Sequence, residues 1–567
     1  MRVFAFRVAA ILAALVAASV NASAAVGASR DSATIRVEVI DGLTQETVSA
    51  RLQVTDTSGR AHIPASALAI PSDCGHWSLE GKFRPVRYTG DAGSILAAMP
   101  HSVFNPFVRK EQFYTAGRST LDLPAGSYEL VASRGPLFYP ASAQIELGSS
   151  QTKSVRLVLR PLKAQLPQGW YSGDAHLHAP RLMPELDQAL VEIMRAENLN
   201  VAMALQIGRA DTPATSPQSR YGSASAFQSG DYLIVSGQEN LRTHLLGHTL
   251  TYGGKRLYHD PDSYLLYWKA WEEARRDGAI NGIAHFGHLL FPSVPDPVVP
   301  ILASRQAIDF IEVLQFNRAE YRTWYDLLNL GLRVIPTAGS DFPCQRGTIP
   351  GRERLFARVD GPLSADNWLE AIRAGRVFVT TGPLLDFRVS GKGAGEEVQV
   401  SPNDPVRIQG VVYFQPQKNR PLQVQVIVNG DVAKVVSQND ESGVIRIDHE
   451  LTFQDASWVA LRVNDETNLF PQNRPSQIAH SGAVYISVRG GQRLVEQPTA
   501  RRIARAWSVG LNNLATQLSD PDQTLYLQLL DAEGDPLPTA AFASQRRKLL
   551  EEVRAASDRL LTIGESK

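Results

Sequence analysis

Two histidines separated by a single residue, His176 and His178, are the strongest local signal for chemistry in the chain. They lie in the run GDAHLHAP, at the end of a segment, GWYSGDAH, that has the pattern of a strand. Because side chains at positions i and i+2 of a strand point to the same face, both imidazoles can bind one metal ion. An isolated pair of this kind more often belongs to surface or packed histidines. The pair alone is therefore weak support for a metal site.

The same arrangement recurs further along the chain. The run DYLIVSGQE ends in Glu239, and His248 follows beside another apolar run, LLGHTLTYG. The run NGIAHFGH places His285 after a short apolar segment, and RVIPTAGSD ends in Asp341. Imidazoles and carboxylates suit zinc, manganese or iron, and a carboxylate among them can bridge two ions. Because several strand ends supply ligands together, the sequence predicts a metal site rather than scattered structural histidines.

Four further side chains are candidates for supporting roles. His288 and His244 are candidate catalytic acids that protonate the leaving group, and roles as loop or ligand-orienting histidines are equally open. Glu312, in IDFIEVLQF, either orients a ligand histidine or faces solvent. Arg346 either clamps an anionic substrate or lies in a surface loop, and the surface position is favoured.

The elements that must position these residues follow from hydrophobic periodicity. Residues 33–161 alternate apolar and polar side chains with period two, which predicts an N-terminal β-sandwich-like domain. Residues 165–383 alternate short apolar runs with helix-like stretches, which predicts βα units around a mostly parallel sheet or barrel. Parallel barrels carry their sites at the C-terminal ends of the strands, where the candidate ligands fall.

Alternation returns in residues 384–490, where Asn429-Gly430 is a strong hairpin signal, and predicts a second β-sandwich-like domain. Residues 498–565 have the pattern of a helical tail. Four apolar residues of this tail fall on one helix face, so the tail is expected to pack against a neighbouring element. They are Leu549, Val553, Ala556 and Leu560.

Composition limits the classes of function. The 567 residues contain 57 Lys+Arg and 57 Asp+Glu, so the formal net charge is zero. This balance argues against a broad basic surface for nucleic acid or for an anionic membrane. We therefore expect a small-molecule substrate, no nucleic-acid partner and no membrane association after processing, and the sequence does not predict an oligomeric state.

The N-terminus predicts the compartment. Residues 1–24 combine Arg2 and Arg7, an uncharged apolar run and the small-residue site Ala22-Ser23-Ala24, which is typical of a signal peptide. The apolar run is shorter than the roughly 20 residues that a membrane-spanning helix needs. The protein is therefore expected to be exported to the periplasm or outside the cell.

Cys74 and Cys344 are the two cysteines, too few for a disulfide-built scaffold. Cys344 lies close to the candidate ligand Asp341, so it is a metal ligand, a disulfide partner of Cys74 or an inert buried thiol. The inert thiol is the default interpretation.

The ordered set DAHLH, GQE, GH-T-L, IAHFGH, IEV and GSDFP, followed by AGRVFVTTGP, resembles the polymerase-and-histidinol-phosphatase (PHP) metallohydrolase superfamily. More narrowly, it is similar to the carbamate-hydrolase-like CehA/McbA branch. The resemblance is firm over residues 165–385 and looser in the flanking β regions. It implies a fold class of a distorted (β/α)7 barrel flanked by two β-sandwich-like domains, with a multinuclear metal centre.

The resemblance also implies a ligand set. One metal subsite would take His176, His178, Glu239 and Asp341; Glu239 would bridge to a second, which His248 and His285 complete. PHP proteins with three metals have further histidines where this chain reads APRLMPEL, ALQIGRAD and SDFPC. Because those histidines are absent from the sequence, two divalent ions (Zn, Mn or Fe) are expected rather than three.

The expected function is that of an exported metal-dependent hydrolase, in which a metal-bridging hydroxide attacks an ester-like bond. A carbamate or carboxylic ester is favoured weakly, and a phosphoester is the first alternative. A non-catalytic protein that binds metal or glycan is the alternative from another class.

Overall fold

The structure is a computed structural model, and it describes most of the chain outside the first 31 residues. The described residues are 32–74, 76–77, 83–84, 88–164, 166–208, 213–240, 246–258, 260–284, 298–344, 347–416, 422–438, 442–465, 477–522 and 539–563. The predicted signal peptide lies outside them. Among the described helices, none is long and apolar enough to cross a membrane.

The N-terminal region consists of two facing sheets, because alternate residues of its strands are apolar and pack into one shared core. Its elements are β1 (Ser32–Asp41), β2 (Ala50–Asp56), β3 (His76–Trp77), β4 (Phe83–Arg84), α1 (Ala92–Ala98), β5 (Val103–Asn105), β6 (Lys110–Thr115), β7 (Arg118–Pro124), β8 (Gly126–Ser133), β9 (Phe138–Tyr139), β10 (Ala141–Leu147) and β11 (Thr152–Pro161). The strand orders of the two sheets are β7-β1-β11-β9 and β10-β8-β2-β6-β5, and β3 and β4 pair separately.

The central region carries the candidate ligands His176 and Glu239 on strands that are buried along almost their whole length, and Asp341 beyond the end of another strand. Its elements are β12 (Trp170–Leu177), α2 (Pro184–Ala196), β13 (Val201–Gly208), β14 (Pro213–Thr215), β15 (Phe227–Ser229), β16 (Tyr232–Asn240), β17 (Thr249–Tyr252), α3 (Trp268–Arg276), β18 (Ile280–Ile283), α4 (Val298–Ser304), β19 (Phe310–Gln315), β20 (Arg318–Ala319), α5 (Arg322–Asn329), β21 (Ile335–Ala338), β22 (Arg354–Arg358), α6 (Ala365–Arg373) and β23 (Val377–Thr380).

The described part of the C-terminal region adds nine strands and two long helices. The elements are β24 (Leu384–Val389), β25 (Glu397–Val400), β26 (Val406–Tyr413), β27 (Leu422–Val428), β28 (Asp431–Gln438), β29 (Val444–Leu451), β30 (Ser457–Asp465), β31 (Ala479–Ser481), β32 (Val484–Val488), α7 (Pro498–Ser519) and α8 (Thr539–Ile563). The three-stranded sheet β24-β26-β29 packs against strands of the large sheet through a second apolar core.

The predicted fold class, a distorted (β/α)7 barrel flanked by two β-sandwich-like domains, is wrong. Of the residues that the structure describes, 40% lie in strands and 24% in helices. Strand β17 runs antiparallel to both of its neighbours, and β12 runs antiparallel to β22. The sheet then continues into the C-terminal region, because β23 pairs with β31. Of the described strands, 18 from the central and C-terminal regions therefore form one sheet, whose hydrogen bonds cross the predicted domain boundary at residue 383.

The error has a local physical cause. The βα pattern requires a helix in each connection between parallel strands, yet the described residues between β13 and β16 form two short strands and a 3-10 turn at Gly222–Ser225. This connection is rich in proline, glycine and serine, which disfavour a helix interior. A prediction from apolar runs alone therefore placed more helices between the strands than this connection contains.

Several strands around the candidate site nevertheless pair in parallel. Strand β13 is parallel to both β12 and β16, and β19 is parallel to both β18 and β21. The C-terminal ends of parallel strands meet at one edge of a sheet, and the candidate ligands follow those ends.

The helical tail packs onto the central region. Helices α7 and α8 contact each other, and Glu552 of α8 forms a bidentate pair with Arg305 at 2.7 and 2.8 Å. The four apolar residues that share one face of α8 are buried in the central core, as their spacing predicts. They are Leu549, Val553, Ala556 and Leu560.

Candidate metal centre

Strand β12 delivers the first two candidate ligands. His176 and His178 are both completely buried, and the distance between their Nε2 atoms is 3.2 Å. The two residues lie at the end of the strand, where its register with β13 shifts between Asp174 and Leu177. The i, i+2 spacing therefore aims both imidazoles at one point, as predicted from the sequence.

The segment after β21 delivers Asp341 beside this pair. The backbone N–H of Asp341 donates to the carbonyl of His176 at 2.7 Å, and that of His178 donates to the carbonyl of Phe342 at 2.7 Å. These two bonds extend parallel pairing beyond the end of β21. Asp341 itself has a left-handed backbone, with φ of 54°, which is uncommon for a residue with a side chain.

Four ligand atoms meet at the ends of three strand segments. The Nε2 atom of His176 lies 3.2 Å from Glu239 Oε2 and 3.5 Å from Asp341 Oδ1. The Nε2 atom of His178 lies 3.1 Å from Glu239 Oε2 and 3.2 Å from Asp341 Oδ1. Ligands placed tetrahedrally about 2.0–2.1 Å from a zinc-like ion would lie about 3.3–3.4 Å from one another. The cluster therefore has the dimensions of a four-coordinate metal site.

The outer nitrogens of both imidazoles face acceptors. His176 Nδ1 lies 3.1 Å from Glu312 Oε2, and His178 Nδ1 lies 2.9 Å from the carbonyl oxygen of Leu205. Proton donation from Nδ1 leaves an Nε2 lone pair on each ring, which is the tautomer that binds metal. Glu312, which the sequence left open, thus orients a candidate ligand and is itself buried.

The electrostatics of the cluster favour a positive species at its centre. Burial opposes protonation of His176, but the carboxylates of Glu312, Glu239 and Asp341 outweigh it and hold the pKa of His176 well above its usual range. Burial also opposes the charged form of His178, yet hydrogen bonds to Asp341 and Glu239 raise its pKa to about 9. A divalent cation would satisfy the same carboxylates through the imidazole lone pairs.

Glu239 also reaches toward the second predicted subsite. Its Oε1 atom lies 2.8 Å from Nδ1 of His248, while its Oε2 atom faces the first subsite. One carboxylate thus has an oxygen for each of two positions, which is the arrangement a bridging ligand needs. The other predicted ligand of this subsite, His285, lies outside the described residues, as do His244, His288 and Arg346.

The sequence reasoning missed one feature of the site and gave another only as an alternative. The buried carboxylate of Asp174 joins β12 to the Asp341 segment through hydrogen bonds to both. In the sequence, the one signal for this role was the position of Asp174 in the DAHLH run. Cys74 and Cys344 form a disulfide with a Cα–Cα distance of 5.0 Å, so the default interpretation of Cys344 as an inert thiol is wrong. The disulfide fastens the N-terminal region to the loop that carries Asp341.

The residue beside this disulfide also contacts the ligand segment. The backbone N–H of Asp73 donates to the carbonyl of His178 at 3.1 Å, and Asp73 Oδ2 accepts the N–H of Ser216 at 3.0 Å. The N-terminal region therefore contacts the backbone of the segment that carries His178.

Comparison with known proteins gives no family for this chain. No family model matches it, and no curated protein matches it. The solved structures with similarity include fibronectin(III)-like modules of Clostridium thermocellum CbhA, with 12% identity over 19% of this chain and 99% of that chain and a TM-score of 0.13.

Two further similar structures cover other shares of the chain. A CARDB domain from Pyrococcus furiosus, solved with di-metal ions, has 19% identity over 19% of this chain and 93% of that chain, with a TM-score of 0.14. An endo-beta-1,4-mannanase from Thermotoga petrophila has 14% identity over 41% of this chain and 44% of that chain, with a TM-score of 0.13. These similarities are too low to support any statement about function.

Proposed function

We propose that this chain is an exported metal-dependent hydrolase that cleaves an ester-like bond. The observation that carries the proposal is the convergence of His176, His178, Glu239 and Asp341 within 4.8 Å of one another. The order of the sequence motifs, which resembles the CehA/McbA branch of the PHP superfamily, supports the same function. The Cys74–Cys344 disulfide is compatible with export.

The donor set fits divalent zinc, manganese or iron, because it combines two neutral imidazoles with two carboxylates. Such a cation, when bound, polarises a substrate oxygen and lowers the pKa of a coordinated water toward neutrality. We propose two cations, with Glu239 shared between them, because its second oxygen lies beside His248. Glu312 would hold the ring of His176 in the ligating tautomer.

The same centre suits more than one electrophile. Carbamates and carboxylic esters are favoured by the motif resemblance, and phosphoesters are the alternative that shares the metal chemistry. His244 and His288 remain the candidate acids for the leaving group, on the strength of their sequence positions alone.

The test is a substrate panel on the full chain with its metals identified by elemental analysis. Nitrophenyl esters, nitrophenyl carbamates and nitrophenyl phosphates report the three bond classes with one chromophore. We expect turnover of at least one carbonyl substrate that a chelator abolishes and added metal restores. Turnover of phosphates alone would select the phosphoesterase alternative. Bound metal with no turnover of any class would favour a non-catalytic binding protein and contradict the proposal.

A further inference from the structure

The carboxylate of Asp174 lies between the two segments that carry candidate ligands, and it is completely buried. Its Oδ1 atom accepts the backbone N–H groups of His176 at 3.1 Å and Ser340 at 2.9 Å. Its Oδ2 atom accepts the hydroxyl of Ser340 at 2.5 Å and the N–H of Gly351 at 2.7 Å. An ionised carboxylate has about four acceptor positions, so this side chain is saturated by four donors.

These four bonds hold the segment that presents Asp341. Ser340 precedes the ligand directly, and Gly351 ends the loop that follows it, so one carboxylate fixes both ends of the loop. The carbonyl of Gly351 also accepts the guanidinium of Arg354 at 2.5 Å. The left-handed backbone at Asp341 is unfavourable for a residue with a side chain and persists only where its surroundings determine it.

Asp174 is buried and is not one of the four residues of the ligand cluster. Burial raises the pKa of Asp174, although its hydrogen bonds to Ser340, Gly351 and His176 oppose that shift. A buried carboxylate is a costly way to join two segments, since apolar packing of similar volume is often at least as stabilising. Unlike apolar packing, the hydrogen bonds of a carboxylate are directional, so they fix the positions of particular donor groups.

We propose that Asp174 is a positioning residue that forms the metal centre in advance of metal binding. It acts through Ser340 and Gly351 on Asp341, and through the backbone of His176 on the histidine pair. This inference rests on the proposed function, since it assigns a role relative to the metal. Replacement of such outer partners typically lowers metal affinity or activity by about 10–100-fold.

The experiment measures zinc affinity of the full chain by competition with a chromogenic chelator, in wild type, Asp174→Asn and Asp174→Ala. Asparagine keeps one acceptor oxygen but turns an N–H donor toward the N–H of Gly351, so an intermediate loss is expected. Alanine removes all four bonds and should give the larger loss. Because metal can still draw the ligands together, kcat at saturating metal should recover more fully than activity at limiting metal.

Asp309→Asn is the matched control, because Asp309 also accepts a backbone N–H, that of Asn281 at 2.8 Å, but lies at the opposite end of the strands. We expect wild-type zinc affinity in this variant. Affinity unchanged in both Asp174 variants, or lowered equally by Asp309→Asn, would overturn the inference. A variant that fails to fold is replaced by Ser340→Ala, which removes one of the four bonds and should weaken zinc binding in the same direction. If wild type itself binds no zinc, the proposed function fails first.

Discussion

Among the described residues, histidine is completely buried in two regions, of which one is the candidate metal centre. His176 and His178 lie in the ligand cluster, while His480 lies between α5 and the strands of the C-terminal region. All three side chains have no exposed surface. Burial alone therefore does not distinguish a ligand from a histidine of the core, and the difference must come from what surrounds each ring.

The ring of His480 is enclosed by aromatic side chains, and no carboxylate is among the causes of its pKa shift. Its Nε2 atom lies 2.6 Å from the hydroxyl of Tyr325, and its Nδ1 atom lies 2.8 Å from the carbonyl oxygen of Ser481. The rings of Tyr321 and Trp324 pack against it at centroid distances of 4.6 and 4.9 Å. Both nitrogens are thus satisfied by groups that suit one neutral tautomer, and the ring completes a packed core.

The ligand cluster differs in the sign of its electrostatics. Burial lowers the pKa of His480 to about 3, and the nearby charge of Arg462 acts in the same direction. Carboxylates instead raise the pKa of His176 and His178 above their usual range. The comparison shows that carboxylates favour a positive charge in the first region, whereas burial favours an uncharged ring in the second.

The largest expected effect is that of His176→Ala. This variant should lose at least one metal equivalent and reduce turnover by about 10³-fold or more, because two carboxylates and one imidazole no longer complete the site. The fold should persist, since the cluster lies at strand ends. Elemental analysis and circular dichroism check both points, and full metal content in the variant would remove His176 from the ligand set.

His480→Ala should lower stability without changing metal content. Loss of a buried ring and its two hydrogen bonds is expected to cost about 2–4 kcal/mol in the free energy of unfolding. Metal content and kcat of the folded protein should match wild type. Denaturant unfolding and elemental analysis are the measurements, and a loss of metal in this variant would break the distinction between the two regions.

A smaller effect is expected for Glu312→Gln. The amide can still accept the Nδ1 proton of His176, but the negative charge that favours the ligating imidazole is lost. Metal affinity or turnover should fall by about 10–100-fold. Glu353→Gln is the control, because Glu353 is equally buried but pairs with Arg352. Equal losses of metal affinity in the two variants would show that the effect is not specific to the ligand histidine.

The smallest effect concerns acid stability. Because the pKa of His480 is about 3 in the folded chain and near 6.5 when unfolded, the unfolded chain binds an extra proton between those values. Stability is therefore lost as pH falls through this window, by about 2 kcal/mol at pH 5. His480→Gln keeps a donor and an acceptor but does not titrate. Thermal unfolding from pH 7.5 to 4.5 should show a shallower decline in this variant, and parallel profiles would contradict the assignment.

The sequence predicted the ligand cluster better than the fold that holds it. The spacing of His176 and His178 and the strand-end positions of Glu239 and Asp341 are local, so a periodicity argument reaches them. The predicted fold class requires a helix in each connection between parallel strands. The proline- and glycine-rich connection between β13 and β16 forms short strands and a 3-10 turn instead. Boundaries set by periodicity also gave no sign of the pairing between β23 and β31.

The remaining features depend on contacts between distant parts of the chain. Cys74 and Cys344 are separated by 270 residues, and their pairing follows from the position of the N-terminal region against the Asp341 loop. Asp174 has the right residue type for many roles, and only its four donors identify it as a link between segments.

The central claim, that the cluster around His176 binds a divalent cation, is tested most directly by zinc titration of the chelator-treated full chain, with His176→Ala and His480→Gln alongside. The account predicts tight binding of at least one equivalent in wild type, the same binding in His480→Gln, and the loss of at least one equivalent in His176→Ala. Wild-type protein that binds no zinc, manganese or iron, or equal binding in wild type and His176→Ala, would contradict it.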